Sequence, residues 1–227
     1  MEVEENEDAY LTFVDYSSPY PIDIDNNIDE SQNSTHLLDD ENLGKSDYHS
    51  IGDLNSLLSK KGEGDLFALH MNAVSLVSHF DEIDSLINAK TSISPDILCI
   101  SETRLKDEKM GFQSDFVSLP EFNLLCDNSK TSAGGVAIYI KNTFRFSAKY
   151  EFKLDVPDCE SLFIELDLMD DVTLGNTKSI LIGCVYRHPR PNTMDFSEKL
   201  TNVIELYSTK NAPVLILGDI NINCSRN

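Results

Sequence analysis

Basic residues are scarce in this chain: 18 Lys+Arg stand against 39 Asp+Glu over 227 residues, a formal charge of -21. A balance of that sign opposes nonspecific nucleic-acid affinity, which Lys and Arg supply through counterion release. Long apolar runs are missing too. Nothing approaches the roughly 18 residues of a membrane span, and no charged-then-apolar leader marks a secretory signal, so an intracellular location, cytoplasmic or nuclear, is expected. The five cysteines (Cys99, Cys126, Cys159, Cys184, Cys224) form no C-x-x-C pair. With at least two of them inside apolar runs, they read as small buried hydrophobes rather than a disulfide framework or zinc ribbon. The five histidines include no H-E-x-x-H and no close pair, which argues against a His-built metal site. Neither G-x-S-x-G nor a P-loop occurs, leaving the common serine-hydrolase and nucleotide-binding readings without support. N-x-S/T triplets at Asn33 and Asn223 would matter only in a secreted chain.

What is present is unevenly distributed. Residues 1 to 63 hold 16 Asp+Glu against Lys45, Lys60 and Lys61, a net charge of -13, whereas residues 64 to 227 are net -8. The first segment is rich in Asp, Asn and Ser, with one apolar cluster at Tyr10, Leu11, Phe13, Val14 and Tyr16. That composition predicts a largely disordered acidic leader, able to act as a protein-interaction tail, whose portion 48–63 can dock on the body that follows. The remaining 164 residues are enough to bury a core.

Within this body, Leu66 to Met71 is a strand-length apolar run, and Ser78 opens a helix with Phe80, Ile83 and Ile87 on one face. Ile97 to Ile100 reads as a strand buried on both faces. A loop-rich stretch is expected to about Lys130. Gly134 and Gly135 then introduce Val136 to Ile140, with Asn142 turning into Phe144 to Phe152 as a hairpin or neighbouring antiparallel pair. Two more strands are expected at Ser161–Leu168 and Ser179–Tyr186. Asp195 and Glu198 form a capping-box-like start to an amphipathic helix bearing Phe196, Leu200, Val203 and Tyr207, and Val214 to Leu217 closes the series. Sequential strands mixed with helical crossovers predict mixed sheets covered by helices.

Four of these strands end in a residue able to do chemistry: Asn72, Glu102, Tyr186, and Asp219 with Asn221. In α/β architectures ligands gather outside the carboxyl ends of strands, where the rim is open and rigidly held. On an extended Gly218-Asp219-Ile220-Asn221 segment, Asp219 and Asn221 would face one ligand while Ile220 packs inward.

The ordered series H-M-N-A-V-S-L (70–76), D-I-L-C-I-S-E-T-R-L (96–105), G-G-V-A-I-Y-I-K (134–141), E-S-L (160–162), G-C-V-Y-R-H-P (183–189) and L-G-D-I-N-I-N (217–223) resembles the endonuclease/exonuclease/phosphatase family. More narrowly, it resembles the apurinic-type endonuclease domain of non-LTR (LINE-like) retrotransposons. The likeness runs from about Tyr48 or Asp65 to the last residue. It implies a four-layer αββα sandwich of two mixed sheets flanked by helices, incomplete at the C-terminus, with residues 64–227 lacking the domain's final strands.

The resemblance also implies metal-assisted phosphodiester hydrolysis of DNA. Mg²⁺, or Mn²⁺, would be held by Glu102 with Asn72 nearby. Asp219 would activate or orient the attacking water, Asn221 would bind the scissile phosphate, and the Tyr186 hydroxyl would bond the phosphate or position Asp219. Two departures stand out: Val74 where the family often has Arg, and an end at Asn227 before the family's terminal Ser-Asp-His. On that ground impaired nicking is expected, with a non-catalytic remnant and a phosphatase of the same family as the alternatives. A local basic run of Lys141, Arg145, Lys149 and Lys153 is either a phosphate contact or an ordinary solvated sheet edge.

Overall fold

The computed structural model describes residues 12–13, 66–88, 94–106, 114–129, 133–168, 178–189, 194–210 and 212–221. The expected docking segment 48–63, and Cys224, lie outside them. Strands β1 (Thr12–Phe13), β2 (Ala68–Asn72), β3 (Ile97–Ser101), β4 (Phe122–Asp127) and β5 (Val136–Lys141) form one sheet in the order β1-β2-β3-β5-β4. Strands β6 (Phe146–Ala148), β7 (Cys159–Asp167), β8 (Ser179–Arg187) and β9 (Val214–Asp219) form a second, in chain order. Helices α1 (Phe80–Asn88) and α2 (Met194–Ser208) are the crossovers of the two parallel pairs, β2/β3 and β8/β9, and every other pairing is antiparallel.

Side-chain alternation makes this a four-layer sandwich. In β3, Leu98 and Ile100 join Leu69, Ile83 and Ile87 in the core beneath α1, while Ile97 and Cys99 face the other way. There they meet Ile182, Cys184, Leu215 and Leu217 in the core between the sheets. On the far side of the second sheet, Phe163, Leu181 and Val185 pack against Phe196, Val203 and Tyr207 of α2. That helix is pinned by Glu165, which accepts hydrogen bonds from Tyr207 Oη (2.9 Å) and Ser179 Oγ (3.1 Å) and pairs with Lys149 Nζ at 2.5 Å.

Two expectations are corrected. The stretch assigned to loop contains β4, paired along its whole length with β5. The expected β5/β6 hairpin does not form, because the two strands belong to different sheets. The backbone N–H of Asn142 bonds Glu121 O at 2.9 Å and its Nδ2 bonds Pro120 O at 3.1 Å, so the chain is tied to the β4 entry before crossing over. The basic run is largely committed within the chain: Lys141 donates to Ser94, Lys149 pairs with Glu165 and Lys153 with Asp127. That supports the ordinary reading of it. No described helix is long and apolar enough to cross a membrane.

Candidate active site

Alternation carried to the strand ends decides which polar groups meet. Ala68 faces the second sheet, so His70 and Asn72 do as well; Leu215 and Leu217 face the first, and so does Asp219. Tyr186 belongs to the same inter-sheet core, and the register places it opposite Asp219. Asn72 lies opposite Ser101, one residue before Glu102. The carboxyl ends of both parallel pairs thus open onto one rim.

At that rim Asn72 Nδ2 donates to Glu102 Oε1 (3.1 Å) and Asp219 Oδ2 (3.3 Å), joining residues 30 and 147 positions away. Its Oδ1 accepts the Val74 N–H (3.1 Å), which fixes the amide face toward the carboxylates. Glu102 Oε2 sits 3.5 Å from an Arg104 guanidinium nitrogen, and its carboxylate is near enough to act on the Tyr186 hydroxyl. Burial first, then Glu102, then Asp219 and Glu160, push the Tyr186 hydroxyl well above the usual phenol range. Of the expected residues, four therefore converge: Asn72, Glu102, Tyr186 and Asp219.

Asn221 takes a different position. The strand ends at Asp219, Ile220 is exposed rather than packed inward, and Asn221 has a left-handed backbone (φ 48°). Its N–H reaches Asp219 Oδ1 (3.2 Å), while its Nδ2 turns back to Arg187 O (2.8 Å). The extended-chain expectation fails because the chain turns immediately after the last ladder pair.

Three functional neighbours stood in the quoted motifs without an assigned role. Arg187, buried, donates from Nε to Ile220 O (2.8 Å) and from Nη2 to Asn221 O (2.7 Å). Glu160 and His188, both buried, face each other with Oε2 and Nε2 3.4 Å apart, and neither atom has a hydrogen bond. The His188 ring stands edge-on to Tyr186, centroids 4.9 Å apart. The strand Cys159–Asp167 also carries Ser161, Glu165 and Asp167, so Glu160 does not stand out by composition, and its place in the Glu160-Ser161-Leu162 motif is the signal that could have drawn attention to this pair.

Backbone strain clusters at the same rim. Val74 (φ 53°), Glu102 (φ 51°), Arg104 (φ 53°) and Asn221 all occupy the left-handed region. Such conformations persist where surrounding contacts over-determine them. Around Glu102 and Arg104 the Gly134–Gly135 turn supplies such contacts: Thr103 N–H bonds Gly135 O (3.2 Å) and Arg104 N–H bonds Gly134 O (2.8 Å). Gly134 is required, since a Cβ there would lie 2.7 Å from Glu160 Oε2 and 2.9 Å from His188 Nε2 at φ 94°.

Among the described residues no three His, Cys, Asp or Glu side chains cluster as a metal cage. Two carboxylates bridged by one amide nevertheless fit a divalent cation that prefers hard oxygen donors and keeps several of its waters.

Two facing mixed sheets with helices outside and a carboxylate-lined rim define an α/β sandwich with a candidate site at its edge. The chain belongs to the Endonuclease/Exonuclease/phosphatase family, whose model matches residues 64–227. Similar solved structures include the 3' phosphatase NExo from Neisseria bound to a product DNA hairpin, with 19% identity over 70% of this chain and 59% of that one and a TM-score of 0.47. The AP endonuclease LMAP from Leishmania major shows 16% identity over 69% and 55%, with a TM-score of 0.49. The endonuclease domain of TRAS1, a telomere-specific non-LTR retrotransposon, shows 12% identity over 70% and 60%, with a TM-score of 0.46. The chain thus spans less than two thirds of these structures. No curated protein matches it.

Proposed function

We propose that this chain carries the site of a Mg²⁺-dependent DNA endonuclease that nicks target DNA for retrotransposon insertion. The observation that carries the reading is the convergence of Asn72, Glu102, Tyr186 and Asp219 from four strands of two sheets. Glu102 would hold the ion, with Asn72 beside it and Asp219 within reach of the same amide. The ion, when bound, supplies charge neutralisation at the phosphate oxygens and at the departing oxygen.

The chain's own groups account for the rest. Asp219 Oδ2 accepts the proton of the attacking water, and the Asn72 amide keeps that carboxylate aimed at the rim. The Tyr186 hydroxyl, held in its protonated form by burial and the two carboxylates, is a permanent donor at neutral pH for a phosphate oxygen or for Glu102. Asn221, at the mouth, would bind the scissile phosphate through the second hydrogen of its amide nitrogen, since Arg187 O takes one.

The test is nicking of supercoiled plasmid in Mg²⁺ or EDTA by residues 1–227 and by Glu102→Ala. The expected outcome is metal-dependent nicking that falls by at least about 10²-fold in the variant, as when a transition-state electrostatic partner is removed. Undiminished nicking in Glu102→Ala would remove the metal assignment. No nicking from a folded chain would favour a non-catalytic member, and release of phosphate from monoesters without DNA cleavage would favour a phosphatase.

A further inference from the structure

Beyond Asp219 the β8/β9 ladder has ended, so the carbonyls of residues 220 and 221 have no strand partner in the register. The guanidinium of Arg187 receives both, at 2.8 and 2.7 Å, from the last position of β8. The contact is reciprocal, because Asn221 Nδ2 donates back to the carbonyl of Arg187 at 2.8 Å. Behind the guanidinium lies the Phe196 ring of α2, 5.8 Å from Cζ to centroid. A planar fork with fixed donor directions can hold two successive carbonyls, whereas a lysine ammonium is a point charge without that geometry.

Two consequences reach the candidate site. Holding both carbonyls keeps Asn221 at φ 48°, a conformation an L residue adopts at a cost. In that conformation the Asn221 N–H points at Asp219 Oδ1, leaving Oδ2 to Asn72. The two oxygens of Asp219 are thus divided between a backbone donor set by Arg187 and a side-chain donor at the rim.

Resting on the phosphodiesterase reading above, we infer that Arg187 is a positioning residue for hydrolysis. Its guanidinium clamps the turn after β9, and through the Asn221 N–H it fixes the orientation of the Asp219 carboxylate. Arg187 touches no reacting atom in this scheme. It acts through Asp219 and Asn221.

The experiment compares wild type with Arg187→Lys, which keeps the charge and loses the fork. Steady-state nicking and amide hydrogen exchange at Asn221 are both measured, with urea midpoints reporting the global fold. A displacement of a reacting group by about 1 Å can cost on the order of 10²-fold, so kcat should fall by about 10- to 100-fold while KM stays within about threefold. Protection of the Asn221 amide should fall by about tenfold or more, with core strands unchanged. If Glu102→Ala abolishes nicking but Arg187→Lys retains wild-type kcat, the clamp is refuted and the phosphodiesterase reading stands. If the wild type never nicks, that reading fails and exchange alone decides the clamp: unchanged Asn221 protection overturns it. Should Arg187→Lys fail to fold, Arg187→Gln takes its place, since its single short amide cannot donate to both the Ile220 and Asn221 carbonyls. A fall in Asn221 protection in that variant supports the clamp, and wild-type protection refutes it.

Discussion

Acidification should destabilise the fold through His70, at a magnitude that follows from its position. His70 faces the inter-sheet core, 4% exposed, and its Nε2 lies 3.1 Å from Ser101 Oγ. Burial alone pushes its imidazole down from 6.5 to about 4. The folded state therefore takes up this proton much less readily than the unfolded chain. Stability from this group is complete above pH 6.5, declines as pH falls from there toward about 4, and is constant below. At 1.36 kcal/mol per pH unit the full loss is about 3 kcal/mol, and about 2 kcal/mol of it has appeared by about pH 5.

Urea denaturation at about pH 7.5 and about pH 5 measures it. With a slope of about 2 kcal/mol per molar, the wild-type midpoint should drop by about 1 M between the two conditions. His70→Gln keeps a hydrogen-bonding group for Ser101 and does not titrate, so its midpoint should move by much less. Glu165 contributes little in this interval: its carboxyl is held below the usual 4.5, first by the Lys149 hydrogen bond, so its stabilisation is lost only as pH falls through that lowered value. Equal losses in wild type and His70→Gln would refute the assignment of the acid sensitivity to this imidazole.

Two substitutions probe the backbone around the site. Gly218→Ala would place a Cβ 1.8 Å from Val185 O at φ 142°, so β9 would have to move. A loss of about 3 kcal/mol or more is expected in urea melts, and a loss under about 1 kcal/mol would refute the close approach. Val74→Gly should have the opposite sign, because a β-branched residue is held at φ 53° on an exposed turn. Relief of left-handed strain of about 1–2 kcal/mol outweighs the greater backbone entropy of glycine, so the melting temperature should rise, and a fall would show that the Val74 side chain contributes more than its strain costs.

The strands that carry the candidate site were legible because each is a short apolar run closed by one polar residue. Asn72, Glu102, Tyr186 and Asp219 needed only period-two alternation and the rule that ligands gather at strand carboxyl ends. Strand β4 was not legible. Its Phe-Asn-Leu-Leu-Cys-Asp sequence lacks alternation and β-branched residues, and at the edge of its sheet only one flank is paired, so register with β5 rather than propensity makes it a strand. The absent hairpin fails for a related reason. Asn142 is a good turn residue in any context, but its bonds to Glu121 and Pro120 tie the turn to β4 and send the next strand to the other sheet.

What no local pattern reveals is how the rim is held. Each left-handed residue there, Val74, Glu102, Arg104 and Asn221, costs on the order of 1–3 kcal/mol. Offsetting contacts come from distant segments. Ser101 O accepts from Ala73 and Thr103 O from Leu76, so the turns after β2 and β3 brace each other. Gly134 and Gly135 carbonyls hold the Thr103–Arg104 backbone, and Arg187 holds the turn after β9. Only the assembled sandwich brings these segments together, so the carboxylates of Glu102 and Asp219 acquire their mutual orientation with the fold as a whole. Partial unfolding at either sheet should therefore disorder the site before it exposes the inter-sheet core, because the bracing bonds lie at the open rim while Ile97, Cys99, Ile182 and Cys184 lie fully enclosed.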